Sequence, residues 1–187
     1  GLGEGYKRQV MIQYSNVRET GLSKAQVSVI AESLASQLGF GPGDNISDLI
    51  RRMGGQVLVE DTLLTDPEQT GSLLVDAPDH FRVIIPSHTS MERDRFTIAH
   101  ELGHYVLHYL WQRARDPNYP ERVIAFRQGS HRLEWEANWF AAAFLMPADT
   151  FRQSFGNQQG NISAVADDFS VSVSAASVRA RGLALPA

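Results

Sequence analysis

Apolar residues recur at helical spacing in several stretches of the chain, and the first stretch covers residues 23–38. Ser23 is a suitable N-cap for this helix, and Gly39 is a natural stop. The apolar positions between them lie on one helix face: Val27, Ile30, Ala31, Leu34 and Leu38. The sequence predicts further helices over residues 44–53, 91–111, 131–146, 162–169 and 174–181.

Strand signals lie between the second and third predicted helices. Residues 56–60 are strand-like, and residues 73–75 and 81–85 flank a five-residue turn at 76–80, which predicts a hairpin. Pro86 ends the second strand of this hairpin or marks it as an edge. The predicted fold class is therefore α+β, with a small antiparallel sheet beside several helices.

Residues 1–20 and 112–130 are among the stretches that carry no predicted element. The first twenty residues are polar and are expected to be irregular, and residues 112–130 contain Pro117, Pro120 and several arginines, as is typical of a surface excursion. A chain of 187 residues is long enough for one compact domain with a small appendage. We expect a main domain over residues 1–150 and a C-terminal helical hairpin over residues 151–187 that packs on it.

Composition narrows the classes of function. Hydrophobic residues make up 43% of the chain, which is enough for a buried core. The net charge is −4, so the chain has no strong positive field for tight binding to nucleic acid. No secretory signal and no apolar stretch of about 18 residues is present, so a cytoplasmic location without membrane contact is expected. The chain begins at Gly1 rather than at a methionine, which is consistent with a missing upstream segment.

The sequence contains no cysteine, which excludes disulfide scaffolds, cysteine nucleophiles and thiolate metal sites. A metal site would have to use His, Asp or Glu. The long predicted helix contains His100-Glu101-Leu102-Gly103-His104. Because residues four apart lie only about 40° apart around a helix, both imidazoles can bind one zinc ion while Glu101 acts as a base. The competing interpretation is an amphipathic core helix with surface histidines.

A catalytic zinc site needs a third protein ligand, and the next predicted helix offers Glu134 and Glu136. Glu134 shares a helix face with Asn138, whereas Glu136 points about 200° away from Glu134. If Glu134 binds zinc, the amide oxygen of Asn138 can accept a hydrogen bond from a ligand imidazole and orient that ring. This division of labour favours Glu134, and Glu136 is the alternative.

Two blocks of sequence resemble the ImmA/IrrE family of zinc metallopeptidases. The first is RFTIAHELGH at residues 95–104, with His108 four residues further on. The second is EWEANWFA at residues 134–141, which matches the E-x-x-A-N signature of that family and is followed by FLMP at residues 144–147. The order and spacing of the two blocks make the resemblance specific, whereas the first fifty residues carry no signature of the family.

The resemblance implies a zincin-like metallopeptidase core with one catalytic Zn²⁺ ion. Its ligands would be His100, His104 and Glu134, and Glu101 would be the catalytic base. Characterised relatives cut a partner helix-turn-helix repressor and so switch on the genes that it controls, in phages, mobile elements and stress responses. The expected function is therefore zinc-dependent cleavage of such a repressor. The expected partner is a protein, and direct binding to DNA is disfavoured.

Further side chains are candidates for supporting roles. An electrophile that stabilises the oxyanion could come from four residues: Arg95, Tyr105, His108 and His131. His108 continues the face of the two motif histidines, but a third helical turn lies too far along for the same zinc ion. We therefore expect His108, like Asn138, to support a zinc ligand or the packing around it rather than to bind the ion.

The C-terminal residues 162–179 resemble a helix-turn-helix pattern. Its second helix offers only Arg179 and Arg181 to DNA, and Asp167 and Asp168 would repel phosphates. A structural hairpin is therefore favoured over a DNA-reading one. The alternative function for the chain is a DNA- or protein-binding regulator whose metal site is structural, sensory or vestigial.

Overall fold

The computed structural model describes residues 13–61 and 71–186 of the chain. The helices in these ranges are α1 (Lys24–Gln37), α2 (Ile46–Arg52), α3 (Met91–Tyr105), α4 (His131–Leu145), α5 (Ala148–Asn157), α6 (Ile162–Phe169) and α7 (Val173–Gly182). α3 continues as a π-helix over Val106–Trp111 and a last α-helical turn over Gln112–Arg115. The strands are β1 (Ser15–Asn16), β2 (Gly55–Glu60), β3 (Gly71–Ala77), β4 (His80–Pro86) and β5 (Val123–Phe126).

These strands form one mixed sheet in the order β1-β5-β3-β4-β2. β3 pairs with β4 and β5 in the antiparallel sense, as predicted, whereas β2 joins β4 and β1 joins β5 in parallel. The expectation of a purely antiparallel sheet is therefore wrong for these two pairs. Because β2 pairs with β4 and not with β3, its neighbour in sequence, two reversals of chain direction separate the paired strands and make them parallel.

The hairpin turn and the predicted surface excursion also differ from expectation. Ala77 still pairs with His80, so the turn consists of two residues, Pro78 and Asp79, and not of five. Residues 112–130 are not a simple excursion, because they contain strand β5, whose first three residues are buried. This strand is short, and its partners β1 and β3 lie far away in sequence, so local patterning gave no sign of it.

One apolar core joins the sheet to the helices, and the predicted α+β class is confirmed. α3 packs on β3 and β4 on one side and on α4 on the other, and α1 packs on α4. Each helix contributes to this core, for example through Val27, Leu49, Leu102, Phe140, Phe151, Phe169 and Ala180. None of the helices within the described ranges is long and apolar enough to cross a membrane.

Gly103, in the middle of the histidine motif, allows α4 to approach α3 closely. A Cβ atom at this position would lie 3.0 Å from Cβ of Phe140 and 3.1 Å from the carbonyl oxygen of Ala137. A larger residue would therefore force the two helices apart. This approach brings the first turns of α4 beside the face of α3 that carries the motif histidines.

The C-terminal helices pack on the rest of the chain through α7. Arg179 of α7 is buried, its Nε atom donates a hydrogen bond to the carbonyl oxygen of Met146 at 2.9 Å, and its Nη2 atom lies 3.4 Å from Oε1 of Glu32. One of the two arginines that a DNA-reading helix would present is thus used inside the protein. The division of the chain near residue 150 stays a prediction.

We expect Arg179→Met to destabilise this packing. The carbonyl oxygen of Met146 would lose its donor, and an unsatisfied buried acceptor costs about 1–3 kcal/mol in the free energy of unfolding. Urea unfolding followed by circular dichroism measures the change. Arg181→Met, on the exposed side of the same helix, is the matched control and should change the value by less than about 0.5 kcal/mol. Equal effects of the two substitutions would contradict this account.

Candidate metal centre

His100 and His104 lie one turn apart on α3, and Glu134 in the first turn of α4 faces both of them. Nε2 of His100 lies 2.9 Å from Oε2 of Glu134, and Nε2 of His104 lies 3.2 Å from Oε1 of the same carboxylate. Ser130 caps α4 by accepting a hydrogen bond from the backbone N–H of Leu133, which fixes where this first turn begins. The cap and the close helix packing together bring one carboxylate against two imidazoles.

A hydrogen bond to Asn138 determines which nitrogen of His100 carries the proton. Nδ1 of His100 lies 2.8 Å from Oδ1 of Asn138, and because an amide oxygen only accepts, the proton is on Nδ1. Burial lowers the pKa of His100, but the hydrogen bond to Glu134 and the charges of Glu101 and Glu134 outweigh it and raise the pKa. In the neutral ring, Nε2 of His100 presents a lone pair to the carboxylate of Glu134. Two lone pairs at such a distance repel each other unless a cation or a proton lies between them.

A relay of two buried hydrogen bonds, from His104 to His108 and from His108 to Glu136, orients His104. Nε2 of His108 donates a hydrogen bond to Oε1 of Glu136 at 2.8 Å, which leaves Nδ1 of His108 free to accept. That atom accepts a hydrogen bond from Nδ1 of His104 at 2.9 Å, so Nε2 of His104 carries no proton. Burial lowers the pKa of His108 and lowers the pKa of His104 to about 3, so both rings stay neutral. This series of hydrogen bonds thus directs the unprotonated Nε2 atom of His104 towards Glu134.

Glu136, the alternative third ligand, has a different set of contacts. Its carboxylate is fully buried and accepts hydrogen bonds from the backbone N–H and hydroxyl of Thr20, at 2.9 and 2.8 Å, and from Nε of Arg132 at 2.8 Å. Burial alone would raise the pKa of Glu136, but these bonds and the one from His108 outweigh it and hold the pKa at about 2. Glu136 therefore ties the segment before α1 to α4, while Glu134 faces both motif histidines.

The donor set and its spacing fit one metal ion. Two ligand atoms that lie about 2.0–2.1 Å from a tetrahedral ion are about 3.4 Å apart, and the two nitrogen–oxygen distances here are 2.9 and 3.2 Å. Nε2 of His104 and Oε1 of Glu134 are buried and form no hydrogen bond within the part of the chain that the structure describes. Two neutral imidazoles and a carboxylate are a donor set that suits Zn²⁺.

Glu101 adds a second carboxylate to this cluster. The potential ligand atoms of His100, Glu101 and His104 all lie within 4.8 Å of one another. Burial raises the pKa of Glu101 to about 7, although the charge of His100 and a hydrogen bond with Ser72 lower it. Its Oε2 atom has no hydrogen-bond partner among the described residues. A carboxylate with such a pKa can take a proton from water near neutral pH and release it again.

Three of the four predicted oxyanion candidates form hydrogen bonds with other residues of the structure. The hydroxyl of Tyr105 donates a hydrogen bond to the carbonyl oxygen of Pro78. Arg95 donates from Nη1 to a backbone carbonyl in the loop before α2, and its buried Nε and Nη2 atoms have no hydrogen-bond partner among the described residues. His108 is used behind His104, and His131 is exposed at the first residue of α4.

An apolar cavity lies beside Asn138, which contacts His100. It opens between α4 and α7, next to Asn138, with a volume of about 390 Å³. The apolar side chains that line it are Phe96, Trp139, Ala142, Met146, Ala175 and Val178. An apolar side chain of a bound polypeptide would fit a cavity of this kind and size.

We expect the substitution His108→Phe, which leaves all three predicted ligands in place, to weaken metal binding. Phenylalanine keeps the ring but removes the acceptor that holds the proton of His104 on Nδ1, so the orientation of His104 is lost. Loss of such a supporting partner lowers metal affinity about 10–100-fold. Competition with a chromophoric zinc chelator measures this affinity. His80→Phe, at an exposed histidine of the hairpin, should leave it unchanged. An unaltered affinity in His108→Phe would show that the relay has no role in metal binding.

Comparisons with known proteins place the chain in a family. No curated protein is significantly similar to it. A Mycobacterium tuberculosis transcriptional regulator of known structure shares its fold with a TM-score of 0.57 and 22% sequence identity, over 82% of this chain and 46% of that one, so this chain spans less than half of the regulator. The family model Peptidase_M78, described as an IrrE N-terminal-like domain, matches residues 57–181 and thus both motif blocks. The chain therefore belongs to this family of IrrE N-terminal-like domains, as the resemblance implied.

Proposed function

We propose that this chain is a zinc-dependent endopeptidase that cleaves a partner helix-turn-helix transcriptional repressor and thereby relieves repression. The observation that carries this proposal is the meeting of the Nε2 atoms of His100 and His104 with the carboxylate of Glu134, beside the buried Oε2 atom of Glu101, which has no hydrogen-bond partner among the described residues. A purely structural metal site needs the first three groups but has no need of the fourth. Membership of a metallopeptidase family supports the same chemistry.

Each residue of the centre has a part in the proposed reaction. His100, His104 and Glu134 would hold the zinc ion, which, when bound, activates water and polarises the scissile carbonyl. Glu101 accepts a proton from the attacking water as the water oxygen bonds to the carbonyl carbon. It then delivers this proton to the amide nitrogen as the C–N bond breaks. The hydrogen bonds behind the two histidines hold the proton of each neutral ring on Nδ1, which leaves each Nε2 atom able to bind the metal.

An apolar cavity and a negative net charge support a protein, rather than DNA, as the substrate. The apolar cavity beside Asn138, the residue that contacts His100, can receive an apolar side chain. The net charge of −4 and the inward position of Arg179 leave little for contact with DNA phosphates, so a link to transcription would run through a partner. The choice of a repressor as that partner rests on the family resemblance of the two motif blocks.

The test is cleavage of the helix-turn-helix proteins encoded beside this gene. Each protein is incubated with the zinc-loaded enzyme, with enzyme stripped by a chelator, and with stripped enzyme that is reloaded with zinc. We expect one specific cut, located by intact-mass spectrometry, in the two zinc-containing reactions only. A neighbour that binds tightly but is never cut would contradict the proposal and would favour a regulator with a sensory or structural metal site. Cleavage that survives removal of zinc would contradict the mechanism.

A further inference from the structure

Arg127 directly follows strand β5 at the end nearest the metal centre. Val123 and Ala125 lie on the face of β5 that contributes to the core, and Arg127 comes directly after Phe126, the last residue of the strand. Ser72 of β3 connects this strand end to the base, because its hydroxyl contacts both the carbonyl oxygen of Ala125, at 3.2 Å, and the carboxylate of Glu101. The side chain of Arg127 therefore starts from a backbone that is anchored next to Glu101.

The segment after Arg127 runs past the other side of the centre. A Cβ atom at Gly129 would lie 3.1 Å from Oε1 of Glu134, so this short link between β5 and α4 passes directly against the predicted third ligand. Arg127 is two residues from Gly129 and thus belongs to the segment that touches Glu134.

The guanidinium of Arg127 has an unused hydrogen-bonding edge. Its Nε and Nη2 atoms are both buried, and neither has a hydrogen-bond partner in residues 13–61 and 71–186. These two nitrogens form the edge with which arginine donates parallel hydrogen bonds to the oxygens of an anionic group. Buried donors without acceptors are unfavourable, and this arrangement becomes favourable when a ligand supplies the oxygen.

We propose that Arg127 is a further catalytic residue of this centre, whose Nε/Nη2 edge binds the oxyanion that forms from the scissile carbonyl. The inference rests on the proposed function. As the water oxygen bonds to the carbonyl carbon, the π electron pair of the C=O bond moves onto the carbonyl oxygen. Arg127 donates hydrogen bonds to that oxygen and transfers no proton, and the electron pair returns to re-form the C=O bond when the C–N bond breaks. Glu101 carries the only proton that moves between heavy atoms in these steps.

The experiment uses inorganic phosphate as a tetrahedral oxyanion probe and Co²⁺ in place of zinc. The visible absorption bands of bound Co²⁺ respond only to ligands at the metal, so phosphate elsewhere on the protein gives no signal. Phosphate and, separately, imidazole are titrated into the full chain and into Arg127→Met, Arg127→Lys and Arg122→Met. Imidazole binds the metal through a neutral nitrogen and offers no oxygen to a guanidinium. Arg122→Met is the matched control, because it removes an exposed arginine from the other end of β5.

We expect the dissociation constant of phosphate to rise at least tenfold in Arg127→Met and by a smaller factor in Arg127→Lys, which keeps the charge but loses the two-donor edge. Arg122→Met should change it less than twofold, and imidazole and Co²⁺ should bind equally well to all variants. Equal phosphate binding by Arg127→Met and the unmodified chain, or no phosphate signal where imidazole gives one, would overturn the role of Arg127. Failure of the unmodified chain to bind Co²⁺ at all would instead overturn the proposed function.

Discussion

Replacing Glu101 with glutamine is expected to stop peptide-bond cleavage while the metal stays in place. Glutamine has nearly the same size and can occupy the same buried position, but its amide cannot accept a proton from water. Because general acid–base catalysis contributes about 10²–10⁴-fold, the rate of repressor cleavage should fall by about that factor. The rate is measured under single-turnover conditions, with the zinc content of the same samples determined by elemental analysis.

A matched variant separates this effect from a general change in α3. Glu92→Gln makes the same substitution in the first turn of that helix, at an exposed position, and should cleave at the normal rate. Normal cleavage by Glu101→Gln would rule out Glu101 as the base. Loss of zinc together with activity would show that Glu101 is a ligand. This possibility needs a test because the carboxylate of Glu101 lies within 4.8 Å of the ligand atoms of both motif histidines.

The two helices of the candidate centre could be inferred from sequence because helical periodicity determines which residues share a face. That argument separated Glu134 from Glu136, and in the structure Glu134 and Asn138 contact the motif histidines while Glu136 holds His108. The roles of these residues as zinc ligands and supports stay predictions. The helical argument worked here because each contact joins positions on only two helices, and both helices have strong apolar patterns.

Contacts that other elements make with the candidate centre could not be predicted from periodic patterns in the sequence. Ser72 lies in strand β3, Arg127 directly follows strand β5, and Thr20 comes from the irregular segment before α1, so only the tertiary structure brings them to the centre. The edge pairings of β1 and β2 depend on contacts between segments that are distant in sequence, which period-two patterns cannot reveal. α5 was missed because its buried face consists of only Phe151 and Phe155.

The π-helix after α3 is a further feature that periodicity cannot detect. The apolar positions of the motif helix follow a period of 3.6 residues, and nothing in them marks a change of hydrogen-bonding pattern at Val106. His108 lies within the π-helical segment and is fully buried between His104 and Glu136. Such segments are often found at functional sites, and here the segment carries the residue that sets the tautomer of His104.

His104→Ala should abolish tight metal binding. His104 is 1% exposed, and its hydrogen bond with His108 orients its Nε2 atom towards Glu134, so the substitution removes one of the three predicted ligand atoms. The loss should exceed the roughly 100-fold that removal of a supporting partner can cost. Zinc at a hundred times its dissociation constant adds about 2.7 kcal/mol to the free energy of unfolding. The unmodified chain should therefore melt at a higher temperature with zinc than without it.

His104→Ala should show no zinc-dependent rise in melting temperature at the same zinc concentration, measured by differential scanning calorimetry. His80→Ala, at an exposed histidine on the hairpin, should keep the full rise. Because the comparison is made within each variant, with and without zinc, a general loss of stability from the buried substitution does not affect it. A full rise in His104→Ala, or stoichiometric zinc in the purified variant, would exclude His104 as a ligand. The three-ligand centre on which the proposed peptidase activity depends would then have to be abandoned.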